Sequence, residues 1–168
     1  MTRIDPPVSG DERAMLLGFV DFLRETIALK TDDLDAAGLN TGHPPSTMTL
    51  GGMLKHLTFV EDYWFGYLLL GNDPVPPWDT APLAEDPDWE WHTAPDDAPA
   101  DLRAWWRSAI QRADAVIAGA DLDQLSTRAR GGEHYSLRHM LIHLIEEYAR
   151  HCGHADLIRE SIDGTVGE

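Results

Sequence analysis

Two residues near the C-terminal end of the chain have the types and spacing of a metal-binding pair. Glu147 and His151 stand four positions apart in a segment with helical periodicity, so their side chains point to the same side of the helix. His151 lies about 40° and Glu147 about 80° from the centre of the apolar face, at about 100° per residue. A carboxylate and an imidazole at the margin of a core are costly unless something compensates them. A divalent cation held by both side chains would provide that compensation.

A tight metal site needs a third ligand, and an earlier helical segment supplies a candidate. His56 lies on the apolar arc of that segment, where a ligand in the core of a helix bundle is expected. Glu61 also falls on the buried side, either as the hydrogen-bond partner of a ligand imidazole or as the counter-charge of a buried arginine. His143 and His154, further round the last helix, are alternative ligands. From spacing alone, these residues are also compatible with histidines that only pack at the margin of the core.

Composition narrows the classes of function. Thirteen Lys and Arg against 29 Asp and Glu leave a formal net charge of −16, which disfavours nucleic acid and anionic membranes as partners. The sequence shows neither a signal peptide nor the roughly 18 consecutive apolar residues of a transmembrane helix, so a cytoplasmic location is expected. The single cysteine, Cys152, excludes an intramolecular disulfide and is interpreted as a small buried hydrophobe rather than as a nucleophile.

All of these candidate residues lie on predicted helices. Four segments have helical periodicity and none of comparable length alternates like a strand, which predicts an all-α class. We interpret residues 1–168 as one domain, in which the apolar stripe of the first helix, including Phe19 and Ile27, belongs to the core. The predicted helices run from about Ser9 to Gly38, from Thr47 or Thr49 to Gly71, from Asp97 to Gly119 and from Ser136 to about Glu160.

Residues 72–98 form a predicted crossover between the second and third helices. The interval between Gly71 and Ala100 holds seven of the eleven prolines, three tryptophans and no lysine or arginine. Because proline interrupts helices, this acidic crossover is predicted to contain no helix. It is either a connection held down by Trp78, Trp89 and Trp91 or a lid over a site.

Two motifs resemble those of a known superfamily. Thr49-Leu-Gly-Gly-Met-Leu-Lys-His56-Leu, followed by Glu61 and Trp64, resembles the second helix of the DinB-like (YfiT-like) four-helix bundles, where a cap and an apolar turn lead to a metal-binding histidine. The run Glu147-Tyr-Ala-Arg-His151-Cys-Gly-His154 is similar to their H-x-x-x-H followed by R-G-Q. Glu147 replaces the first histidine there and His154 replaces the glutamine. A glutamate in that position resembles the mycothiol-dependent maleylpyruvate isomerase branch, whose zinc is held by two histidines and a glutamate.

The resemblance implies an up-down-down-up four-helix bundle with a divalent metal, most commonly zinc and otherwise nickel, held by His56, Glu147 and His151. It also implies a low-molecular-weight thiol as cofactor and a small-molecule substrate. Thiol S-transfer and thiol-dependent isomerisation are then the expected reactions, with a metal-bound thiolate or water as the catalytic group. The acidic crossover departs from the family pattern and leaves the substrate open.

A metal-dependent hydrolase and a non-catalytic metal- or ligand-binding bundle stay open, and a fourth protein ligand would favour the non-catalytic case. Arg150 is a candidate for binding a substrate carboxylate. Trp105 and Trp106 are adjacent on the third helix and point about 100° apart, so one of them is expected to be partly exposed and a homodimer is predicted.

Overall fold

The computed structural model describes residues 3–167, and all the regular structure in that range is helical. The all-α class is therefore confirmed, whereas the up-down-down-up order stays a prediction. Within residues 3–167, every helix is too short or too polar to span a bilayer. The helices are α1 (Glu12–Thr31), α2 (Ala36–Leu39), α3 (Leu50–Glu61) with a π-helical continuation (Asp62–Leu69), α4 (Trp89–Thr93) with a 3₁₀ turn (Ala94–Asp96), α5 (Pro99–Gly119) and α6 (Leu137–Asp163).

The chain forms two compact units, of which the first comprises residues up to Leu50 and residues from Leu141 onward. It contains α1, α2 and most of α6. Lys30, in the last turn of α1, forms an ion pair with Asp156 of α6 at 2.9 Å. Arg159 Nη1 donates to the backbone carbonyl of Lys30 at 3.2 Å. Because the last carbonyls of a helix carry partial negative charge, this guanidinium stabilises the end of α1 and holds it against α6.

The second unit, Gly51–Met140, contains nearly all of α3, the π-helical segment, α4 and α5. One half-buried carboxylate joins three of its parts. Arg112 of α5 donates from Nε and Nη2 to Asp62 of the π-helical segment, at 2.9 and 3.0 Å. Trp78 of the crossover donates from its indole nitrogen to the same carboxylate at 3.0 Å. Asp62 is therefore satisfied by a bidentate charge-assisted pair and a neutral donor.

The first helix differs from its prediction at both ends. It begins at Glu12 with Asp11 as the N-cap, whose carboxylate accepts from the backbone of Ala14 at 2.8 Å, so Ser9 is not the cap. It ends at Thr31 rather than near Gly38, which lies in the separate helix α2. Aspartate and serine are both good N-caps, so the sequence alone does not distinguish Asp11 from Ser9, which lies only two positions earlier.

The predicted apolar stripe of α1 is wrong at one position. Phe19 is 43% exposed, whereas the next residue, Val20, is 1% exposed. The buried arc passes through Val20, Arg24 and Ile27, which follow one another at helical spacing. It is thus rotated by about one residue from the arc that the apolar pattern indicates. Tertiary packing places the aliphatic part of an arginine in the core and leaves a phenylalanine outside.

The predicted crossover contains a helix, so the prediction of a helix-free segment is wrong. Helix α4 and its 3₁₀ turn both lie within residues 72–98. Pro87 and Pro95 bracket α4, and no proline lies inside Trp89–Thr93. Proline at those positions limits a helix without interrupting it. The bounds of α3 with its continuation, α5 and α6 agree with prediction to within a few residues, although the widening of the second predicted helix into a π-helix was not predicted.

Candidate metal centre

Helix α6 brings its two predicted ligands together. His151 Nε2 lies 3.7 Å from Glu147 Oε2, and the two side chains are 8% and 19% exposed. They meet because residues four apart on a helix lie one above the other. The pair is therefore largely withdrawn from water, and its open side still has access to solvent.

His56, the predicted ligand from α3, is held by two neighbours from α4. Its Nδ1 lies 3.0 Å from Glu90 Oε1, and its ring stacks on that of Trp91 with the centroids 5.0 Å apart and the planes at 29°. Glu90 is 4% exposed. An imidazole that donates from Nδ1 to this carboxylate has its lone pair on Nε2, the nitrogen that can then bind a metal.

The three predicted ligands form a cluster. One ligand atom from each of His56, Glu147 and His151 lies within 4.8 Å of the other two. Two imidazole nitrogens and one carboxylate oxygen are a donor set that zinc takes in catalytic sites. Ligand atoms about 2.1 Å from a tetrahedral zinc are about 3.4 Å from one another, and the 3.7 Å between His151 and Glu147 is already close to this value. The residues therefore fit a small divalent cation after modest side-chain adjustment.

The alternative ligands lie around this cluster but are not members of it. His143 is 3.2 Å from Glu146 through Nδ1 and 3.6 Å from Glu147 through Nε2. The His154 ring stands edge-on to that of His151, with the centroids 5.7 Å apart. Its Nδ1 is buried and has no hydrogen-bond partner within residues 3–167. A site with three protein ligands keeps a coordination position for water or a substrate, as catalytic sites do.

The remaining predicted residues lie in different environments. Glu61 is fully buried, and its assignment to a ligand imidazole or to an arginine stays a prediction. Arg150 is exposed and forms an ion pair with Glu146, one turn earlier on the outer face of α6. Its role in substrate binding also stays a prediction. Trp106 is 3% exposed and Trp105 is half-buried, as expected for two adjacent positions on a helix.

Cys152 lies next to a predicted ligand but is unsuited to nucleophilic chemistry. It is 7% exposed, and its thiol donates to the backbone carbonyl of Leu23 at 3.5 Å. Burial, with a further contribution from the charge of Asp156, raises the pKa of the Cys152 thiol to about 12. The thiol is therefore protonated at neutral pH and behaves as a small hydrophobic side chain.

Glu90 is a site residue that the sequence did not predict. It is one acidic residue among many in the crossover, and its contact with His56 joins residues 34 positions apart. The only local signal is its place between Trp89 and Trp91. A carboxylate between two large aromatic side chains in an otherwise exposed segment indicates burial against a partner.

The fold and the cluster of two imidazoles and a carboxylate define the class of protein. It is an all-α protein with a candidate site for a divalent cation. A model of the mycothiol-S-transferase family matches residues 15–164, and the chain belongs to this family. This match confirms the resemblance to the DinB-like helical proteins near the mycothiol-dependent enzymes. No curated protein matches the chain.

Proposed function

We propose that the protein transfers a low-molecular-weight thiol, mycothiol in view of its family, to a small electrophilic molecule, and that it uses zinc held by His56, Glu147 and His151. The observation that carries the proposal is the cluster of these three side chains, each with a ligand atom within 4.8 Å of the others, in a member of a thiol-transferase family. The cluster supplies three ligands and keeps a position for the thiol.

The cation would supply positive charge that lowers the pKa of a coordinated thiol, so that the deprotonated form is available at neutral pH. Glu147 contributes one negative charge, which offsets part of the charge of the cation. Glu90 holds His56 in the tautomer that has its lone pair on Nε2, and Trp91 fixes the plane of the ring. This preorganisation reduces the ordering that metal binding would otherwise require.

The transfer itself needs no nucleophile from the protein. The sulfur of the small thiol donates an electron pair to an electrophilic carbon and a C–S bond forms, while the leaving group departs with the electron pair of the bond that breaks. The proton of the thiol passes to solvent. Cys152, with its high pKa and its contact with Leu23, takes no part.

Purified protein, prepared without a chelating tag and reloaded with zinc, tests the proposal. We expect mycothiol-dependent conversion of 1-chloro-2,4-dinitrobenzene, with loss of the reaction on chelation or in His151→Ala. His139→Ala is a matched control, because His139 is an exposed histidine of the same helix. If zinc binds with one-to-one stoichiometry but no thiol reacts with any electrophile, the cluster is a non-catalytic metal site. If turnover survives complete removal of metal, the proposed role of the cation is wrong.

We also propose that the protein is a homodimer. The proposal rests on the half-buried Trp105, since tryptophan with an accessible surface is enriched at interfaces. Sedimentation equilibrium at micromolar concentration tests it, with Trp105→Ala expected to shift the equilibrium toward the monomer. A wild-type protein that sediments only as a monomer would contradict the proposal.

A further inference from the structure

The second unit contains a cavity of about 500 Å³ that the candidate metal centre does not use. Its walls come from the end of α3, the π-helical segment, the crossover and α5. On one wall, Phe59, Tyr63 and Tyr67 stack in succession, with 5.4 Å between neighbouring ring centroids and interplanar angles of 29° and 19°. The crossover adds Trp78, whose ring meets that of Phe59 edge-on at 5.2 Å. The cavity therefore has a continuous wall of near-parallel aromatic rings.

The backbone of this wall is unusual. Tyr63 and Tyr67 lie in the π-helical segment Asp62–Leu69. π-Helical turns are rare in proteins, and many of them occur at functional sites. Gly66 lies between the two tyrosines and also lines the cavity. A Cβ atom added at Gly66 would meet no other atom within 4 Å, so the chain keeps open a space that a larger side chain would fill.

The charges that line the cavity are compensated by the protein. Asp62 is paired with Arg112 and also accepts from Trp78, while Asp73, which is exposed at the rim, is paired with Arg128 at 3.2 Å. Burial raises the pKa of Tyr63, so its hydroxyl stays protonated and available as a hydrogen-bond donor. A ligand with a net charge would have to compete with the Asp62–Arg112 pair, whereas an uncharged ligand would leave it intact.

The volume of the cavity and the arrangement of its aromatic rings restrict the kinds of ligand that it can bind. A cavity of about 150 Å³ holds benzene, and typical ligand pockets measure about 300–1,000 Å³. The space available thus accommodates a flat molecule of about two or three fused rings. Aromatic rings attract one another most strongly in offset stacks or edge to face. Because the planes of Phe59 and Trp78 meet at 66°, a flat ligand that lies parallel to one of these rings stands edge-on to the other.

We propose that this cavity binds uncharged, flat aromatic molecules. Phe59 lies three residues after His56 on α3, about one helical turn along, so a molecule in the cavity would lie near the candidate metal ligand of the same unit. We therefore assign the bound molecule the role of electrophilic acceptor, and this assignment alone rests on the proposed function.

Calorimetric titration of metal-free protein with 2-naphthol, without any thiol, tests binding separately from catalysis. We expect one saturable site and at least tenfold weaker binding of decahydro-2-naphthol, which keeps the ring skeleton and the hydroxyl but lacks the aromatic faces. Equal affinity for the two compounds would overturn the preference for aromatic molecules. Absence of saturable naphthol binding would overturn the site itself, whatever the transferase assay shows.

Substitutions that fill the cavity test its location. Gly66→Leu is expected to weaken naphthol binding more than tenfold. Gly119→Leu is the matched control. Gly119 also lies in a helix, and a Cβ atom added there also meets nothing within 4 Å, but Gly119 does not line the cavity. Should Gly66→Leu misfold by circular dichroism, Ala115→Phe fills the space from α5 and is expected to have the same effect. Wild-type affinity in a folded cavity-filling variant would overturn the assignment.

The role of the bound molecule is tested by transfer kinetics. With 1-(bromomethyl)naphthalene as acceptor, Gly66→Leu should raise KM at least tenfold, while KM for the small acceptor iodoacetamide stays unchanged. His151→Ala should abolish transfer to both acceptors and still bind 2-naphthol. If naphthol binds as expected but Gly66→Leu leaves both KM values unchanged, the cavity is not the acceptor site, and the metal-dependent transfer stands without it.

Discussion

Removing the carboxylate of Glu90 should weaken metal binding without disturbing the metal-free fold. Glu90 is buried and 3.0 Å from His56 Nδ1, so it is the group that orients one of the three proposed ligands. Loss of such a partner typically lowers metal affinity about 10- to 100-fold. This range corresponds to about 1.4–2.7 kcal/mol, which agrees with about 1.5–3 kcal/mol for a hydrogen bond to a charged group.

We expect Glu90→Ala to show a loss near the upper end of this range. Glu90→Gln should show a smaller loss, of about tenfold, because an amide oxygen still accepts from Nδ1 but carries no charge. Competition for zinc with a chromophoric indicator at neutral pH measures both. Glu85→Gln is the control, since Glu85 is an exposed carboxylate of the same crossover and its substitution should leave the affinity unchanged.

The melting temperature of the metal-free protein distinguishes a positioning role from a structural one. Glu90 Oε2 is buried and has no hydrogen-bond partner within residues 3–167. A buried charge with an unsatisfied oxygen is costly, so Glu90→Gln should leave the melting temperature of the metal-free form nearly unchanged. A positioning role for Glu90 would be contradicted if Glu90→Ala bound zinc as tightly as wild type, or if the affinity fell only in step with loss of the folded form.

Three further predictions concern the proposed ligands, the cysteine and the acid limit of stability. His56→Ala and His151→Ala should lose stoichiometric zinc by elemental analysis and Glu147→Gln should bind it more weakly; full occupancy in either histidine variant would contradict the site. Cys152→Ala should keep thiol-dependent turnover, and native Cys152 should resist iodoacetamide at pH 8 because its pKa is raised to about 12; rapid alkylation of the folded protein would contradict this. Hydrogen bonds from Arg159 and Thr165 lower the pKa of Asp163 to about 2, below the ordinary value of about 3.9, so this carboxylate stabilises the fold above pH 4 and ceases to do so as the pH falls toward 2. Unfolding curves from pH 5 to 2 should therefore fall less steeply for Asp163→Asn, and identical curves would refute the assignment.

The helical class and most of the long helices could be predicted from local sequence patterns. Helical periodicity is a local property, so it located α5 and α6 and the extent of α3 with its continuation to within a few residues. The meeting of Glu147 and His151 was predictable for the same reason, because their spacing on one helix sets their separation. His56 was predictable as a polar residue on an apolar arc, although its partners were not.

The surroundings of those residues depend on long-range contacts and could not be predicted. The contact of Glu90 with His56 spans 34 positions, and no local pattern carries information about a partner so distant. The exposure of Phe19 and the π-helical form of Asp62–Leu69 likewise contradict or exceed what the local pattern indicates. In each case the free energy of packing against distant residues outweighs a local preference that is worth only a fraction of a kcal/mol per residue.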